Sequence, residues 1–204
     1  MSKVTWKGGT LIAPVPAVMI TCGNTEKANV LTIAWTGIIN TIPPMTYISV
    51  RPSRHSYNII KDSGEFVINL TTEQLCRATD YCGVRSGKDH DKLKDMKLEL
   101  EPSAIVSAPQ LKDSPLSLEC KVKEIKALGS HDMFIADIVA VNVDERLIDK
   151  NGRLDLKKAD LIAYSHGDYY KLGERIGDFG FSVRKKQGVK RKHPPKKHPP
   201  KVKK

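Results

Sequence analysis

The sequence predicts a mainly β protein with short helices, its strands forming a closed or nearly closed antiparallel barrel. Three observations carry this. Six strand-like runs, apolar or alternating and rich in Val, Ile and Thr, recur through the body of the chain. Clusters of Gly, Pro, Asn, Asp and Ser separate them. Only two segments carry helix start and stop signals.

In order, "VPAVMITCG" (15–23) is an apolar strand bounded by Pro and Gly. "NVLTIAWTGII" (29–39) reads as a second strand, but it holds Asn29, Thr32, Thr36 and Trp35, a polar and aromatic load that packing alone does not require. "TYISVR" (46–51) follows Pro43-Pro44 as a third. "SRHSYNIIKDSG" (53–64) is a helix with Ser53 as N-cap and Gly64 as stop. "EFVINL" (65–70) is a fourth strand, and "TEQLCRATDYCG" (72–83) a helix capped by Thr71 or Thr72 and ended by Gly83. "LSLECKVKEIKALG" (116–129) alternates, with a bulge required near Glu124 to keep Ile125 inside. "HDMFIADIVAVNVDE" (131–145) pairs with it through "GSHD" as a long hairpin.

The chain has 204 residues, 40% of them hydrophobic, enough for one substantial core. The run "LIAPVPAVMI" is too short to span a bilayer and holds prolines, so no membrane partner is expected. "MSKVTWKGG" lacks the apolar region of a signal peptide, which makes a cytoplasmic location the expectation. Four cysteines, none in a C-x-x-C pair, read as reduced structural thiols, and no metal site is expected. Net charge is +11, but residues 184–204 hold 11 of the 34 Lys and Arg and no acid. The other 23 basic residues balance 23 acidic ones. This divides the chain into a neutral domain, 1–183, and a Lys/Pro-rich tail, 184–204, with "KHPPK" twice. Such a tail is expected to be disordered and to contact polyanions without sequence preference.

Motifs for nucleotide-driven chemistry are missing. "GVRSGKDHDK" has three residues between its glycines and Asp after the lysine, so it is not a Walker loop. No G-x-G-x-x-G follows a strand. "SVRPSRHSYN" is more pointed: Ser53, Arg54 and Ser56 gather at a helix start, where free N–H groups and a positive dipole end suit a phosphate. A capped helix with solvated charges explains the same residues. Lys92 reads as a second phosphate cation or as a solvated helix charge. His131 opens a strand, and "YSHGDYYKLG" (164–173) reads as an aromatic strand end.

Taken together, "NVLTIAWTGIINTIPPMTYISVRPSRHSYNIIKDSGEFVINL", "DYCGVRSGKDHDK", "SHDMFIADI" and "AYSHGDYYKLGERIG" resemble the flavin reductase-like family, and within it the flavoredoxin branch. The resemblance spans residues 8–177 and implies an FMN-binding split β-barrel. It implies that Asn29, Thr32 and Trp35 contact flavin, with the backbone of Thr32, Ile33, Ala34 and Trp35 against the ring's polar edge. It implies Ser53, Arg54 and Ser56 as phosphate contacts, Lys92 as a cation near the phosphate or ribityl end, and His131 and Tyr164 as pocket-lining residues delivered across a homodimer interface. The implied activity is an FMN-dependent oxidoreductase drawing electrons from NADH, NADPH or a redox protein, with no catalytic acid or base. Two alternatives remain: an electron carrier that uses nicotinamide poorly, and a polyanion binder acting through its tail.

Overall fold

The computed structural model describes residues 1–184. The expected disordered tail, beyond Arg184, lies outside the described residues. The chain divides into a compact unit, Met1–Leu172, and a second, Gly173–Lys204. In the second, the described residues form a single 3-10 turn, Phe181–Val183, and an Arg184–Asp178 ion pair.

The first unit is built in chain order from β1 (Val15–Pro16), β2 (Val18–Gly23), β3 (Ala28–Ile33), β4 (Thr36–Thr41), β5 (Pro44–Val50), α1 (His55–Ser63), β6 (Glu65–Asn69), α2 (Cys76–Val84) and α3 (Lys92–Asp95). Then come β7 (Leu100–Glu101), β8 (Gln110–Leu111), β9 (Leu116–Ala127), β10 (Asp132–Val143), β11 (Ile162–Ser165) and β12 (Asp168–Lys171). Seven strands form one antiparallel sheet in the order β3-β2-β6-β9-β10-β5-β4. Among the described residues, no helix is long and apolar enough to cross a membrane.

The sheet is rolled. Val18, Ile20, Leu31, Ile33, Ile48, Val50, Phe66, Cys120, Phe134 and Ala136 share one buried cluster, although they come from both ends of the strand order. Only a curled sheet brings β3 and β5 side chains into one core. Tyr57 and Ile60 of α1 join that cluster. Met19 and Val30, on the opposite faces of β2 and β3, pack with Leu75, Ala78 and Cys82 of the α2 region. Burial on both faces explains why "VMITC" is apolar but for Thr21, whose buried hydroxyl donates to the Pro109 carbonyl.

The expected strand 29–39 is two strands. β3 and β4 lie at opposite edges of the sheet, and only Ala34 and Trp35 join them. The Ser49 N–H donates to the Trp35 carbonyl at 3.0 Å, fastening this link to β5. Apolar continuity could not show a change of partner within one run. The bulge falls where expected: pairing shifts between Ile135 and Ala136, opposite Glu124 and Val122. A second shift, between Ile138 and Ala140, has no counterpart in the sequence reading.

Both helix starts need correction. Arg54, not Ser53, is the N-cap of α1, and it makes no side-chain capping bond. Gly64 ends α1 as expected, with φ 67° and its N–H on Ile60. α2 begins later than expected, at Cys76: the Thr71 hydroxyl is held by the Ala17 carbonyl, while Thr72 accepts the Leu75 N–H on its hydroxyl at 3.3 Å and so caps the turn that leads into the helix. Gly83 lies inside α2, where a Cβ would stand 3.3 Å from that of Thr32. Glu119, fully buried on β9, accepts from the N–H groups of Ala104, Ile105 and Val106 and from Asn142. It fixes the loop that follows β7. The aromatic strand end is a tight hairpin of β11 and β12, turned by His166 (φ 52°) and Gly167 (φ 104°).

Candidate functional site

Because β3 pairs only with β2, alternate backbone groups of β3 point away from the sheet. Beside that free edge lies a cavity of about 510 Å³. Thr32, Ile33, Ala34 and Trp35 line it from β3 and the link; Ser49, Val50 and Arg51 from the end of β5; Arg54 from the start of α1; Asp80, Gly83 and Val84 from α2. His131, Tyr164, Gly167 and Tyr169 complete it. A smaller cavity of about 190 Å³ shares Leu31, Arg51 and Arg54 with the first. It is lined further by Asn29, Ser53, His55, Ser56, Cys82, Arg85, Ser86, Gly87 and Lys92.

All eleven residues expected at the site therefore line one continuous cleft. Thr32, Ile33, Ala34, Trp35, His131 and Tyr164 stand at the wide end; Asn29, Ser53, Ser56 and Lys92 at the narrow end; Arg54 belongs to both. Thr32 donates its hydroxyl to the Thr79 carbonyl at 2.5 Å, so it offers the cleft backbone rather than side chain. Trp35 is 39% exposed on the link between the sheet's edges.

The narrow end is strongly cationic. Lys92 is only 4% exposed, and its Nζ donates to the Cys82 carbonyl at 3.2 Å. Burial holds its pKa below the ordinary lysine value. Among the described residues, no carboxylate forms an ion pair with Arg51, Arg54, Arg85 or Lys92. A buried ammonium with one carbonyl partner is unfavourable until an anion joins it. Three serine hydroxyls and the start of α1 face the same space. Asn29 donates to Ser56 Oγ at 2.5 Å, tying β3 to α1. Gly87 closes the pocket: a Cβ there would lie 2.2 Å from Asn29 Oδ1 and 3.0 Å from His55 Cδ2.

At the wide end, Arg51 Nε donates to His131 Nε2 at 3.4 Å. An arginine cannot accept a proton here, so Nε2 is the bare nitrogen and Nδ1–H faces Ser130 Oγ at 3.0 Å. Burial and the two guanidinium groups of Arg51 and Arg54 keep His131 below its ordinary pKa, hence neutral. Tyr169 donates to Asp80 at 3.3 Å and stacks edge-on against Tyr164, with centroids 5.4 Å apart. Its phenol is pushed up to about 12, first by burial and then by Asp80. Burial lifts the Cys22 and Cys82 thiols to about 11, which leaves them protonated and unreactive. Among the described residues, no group of three His, Cys, Asp or Glu is placed to hold a metal.

Sequence reasoning missed Arg51, Arg85, Ser86 and Gly87 as lining residues. Their signal was present, since they sit inside "SVRPSRHSYN" and "GVRSGKDHDK". The second stretch does cradle the cationic pocket, although it is no Walker loop. Asp80 and Tyr169 also sit inside quoted stretches, "DYCGVRSGKDHDK" and "YSHGDYYKLG", but only the fold brings α2 and the last hairpin to one rim.

A rolled antiparallel sheet with a free edge strand beside a cleft, ending in a buried cationic pocket, is the architecture of the split-barrel class. The chain belongs to the flavin reductase like domain family, whose pattern matches residues 11–173. It is similar to the flavoredoxin of Desulfovibrio vulgaris (Miyazaki F), with 27% identity and a TM-score of 0.82, covering 90% of this chain and 100% of that one. The flavoredoxin of Methanosarcina acetivorans gives 27% identity and a TM-score of 0.80 over the same shares. An uncharacterised protein of Pyrococcus abyssi is 28% identical over 83% of this chain and 97% of its own.

Proposed function

We propose that this protein holds FMN in the cleft and passes electrons through it, from NADH or NADPH, to an acceptor. The observation that carries the reading is the continuity of the cleft from a free strand edge to a buried, acid-free cationic pocket. The residues fit a flavin mononucleotide: the unpaired β3 backbone suits the ring's polar edge, and Arg54, Ser53, Ser56 and Lys92 suit one terminal phosphate. Bound FMN supplies the electron-transfer chemistry that no side chain here provides. The chain binds and orients. The backbone of Thr32 to Trp35 fixes the ring edge, and Lys92 and Arg54 balance the phosphate charge. His131, kept neutral, presents no extra cation to the ring.

The test is a visible spectrum of freshly purified protein with the released chromophore identified, followed by anaerobic mixing with NADH and NADPH. Flavin bands, release of FMN, and bleaching by one nucleotide are expected. A colourless protein that takes up no FMN removes the reading. Flavin that neither nucleotide bleaches leaves the second reading, an electron carrier. The flavoredoxin names of the two similar structures support that second reading. A homodimer and a tail that contacts polyanions belong to the same proposal; the 11 cations of residues 184–204 support the latter.

A further inference from the structure

A second cavity, about 590 Å³, adjoins the wide end of the cleft and shares Trp35, Tyr164 and Gly167 with it. Its outer wall is the N-terminal segment, through Trp6, Leu11 and Ile12. Both tryptophans of the chain line it. Its size falls in the range of small-molecule pockets. Its chemistry contrasts with the cleft beside it. No Lys, Arg, Asp or Glu is among the described residues lining it, whereas the wide end carries Arg51, Arg54 and Asp80. A phosphate-bearing nucleotide finds no counter-charge there. An uncharged planar ring does find indole and phenol faces, with Tyr164, His166 and Thr10 offering polar atoms to ring oxygens.

We propose that this cavity binds an uncharged aromatic electron acceptor of the quinone class, stacked against Trp6 and Trp35. The redox step rests on the FMN reading above; the binding does not. In the step, two electrons and two protons turn the quinone's two carbonyls into hydroxyls. A reduced nicotinamide nucleotide and one solvent proton supply them, and the nucleotide leaves oxidised.

The probe is menadione, titrated against intrinsic tryptophan fluorescence, with flavin content measured on the same sample. Saturable quenching is expected. Trp6→Ala, which leaves Trp35 as reporter, should raise the apparent Kd about tenfold with flavin content unchanged. Ile12→Asp, which places a charge in the lining, should do the same. Trp6 and Ile12 are both largely exposed, so neither change threatens the fold. Linear quenching to the solubility limit overturns the proposal, as does a Trp6→Ala protein that binds like the parent. Quenching that follows protein concentration instead assigns the cavity to a second copy of the chain, and also overturns it. A protein that takes up no FMN yet binds menadione saturably sinks the cofactor reading and leaves this one standing. Flavin-loaded protein without saturable quenching does the reverse.

Discussion

If FMN occupies the cleft as proposed, Lys92→Met should strip it from the protein and make the flavin-free form more stable. The two effects have opposite signs because they concern the same buried charge in two states. Without a ligand, the Lys92 ammonium is 4% exposed, with one carbonyl acceptor and no acid. Methionine keeps most of the stem's packing and removes the desolvation penalty, so the variant's flavin-free stability should rise by about 1 kcal/mol or more. With phosphate present, the same ammonium gains its missing partner. Its loss should weaken FMN binding by roughly 3 kcal/mol, on the order of a hundredfold. The pH dependence follows. Burial lowers the folded pKa below 10.5, so the unfolded chain binds more protons between the two values. Stability of the flavin-free parent therefore rises as pH climbs through that window. Lys92→Met removes this rise. Thermal melts across alkaline pH, with flavin titrations at neutral pH, measure all three effects. A variant that melts lower without flavin, or retains the parent's affinity, contradicts the assignment.

Gly87→Ala should also empty the site, by geometry rather than charge. The added Cβ would meet Asn29 Oδ1 at 2.2 Å and Cγ at 2.8 Å. Asn29 cannot retreat freely, since it is 9% exposed and holds Ser56 at 2.5 Å. Either the Asn29–Ser56 bond breaks or the loop after α2 moves out. Overpacking of this kind costs about 1–3 kcal/mol. Here it falls on the wall of the cationic pocket, so a loss of FMN affinity of roughly tenfold or more is expected. Asn29→Ala makes room for the methyl group, and the double variant should regain part of the affinity lost by Gly87→Ala alone. Unchanged affinity in Gly87→Ala would show that the pocket wall is not where the structure puts it.

Local sequence carried much of this molecule. The long β9–β10 hairpin and its bulge near Glu124 follow from alternation and a turn signal, which are short-range properties. The polar load on 29–39 pointed at the free edge, and the hydroxyls and guanidinium after Arg51 pointed at the cationic pocket. What the sequence concealed is non-local. Ala34 and Trp35 carry the chain from one edge of the sheet to the other, inside a run that reads as a single strand. Thr71 was as plausible a helix cap as Thr72 until the fold gave its hydroxyl to the Ala17 carbonyl, leaving Thr72 to accept the Leu75 N–H. Lys92 read as a phosphate cation or as a solvated helix charge, and its neighbours in sequence did not choose between them, because its burial depends on α2 and β3 packing against it.

The strand order also has a consequence for the way the molecule assembles. β5 finds β10 across more than eighty residues of chain, with Met45 opposite Asp137, and β6 finds β9 with Asn69 opposite Ser117. These distant pairings complete the roll that sets the two sheet edges beside each other. Long-range pairing of this kind is slow, so the cleft, which needs both edges in place, is expected to form only once these pairings are made. Flavin uptake should then follow closure of the sheet, and the colour change during refolding would time it.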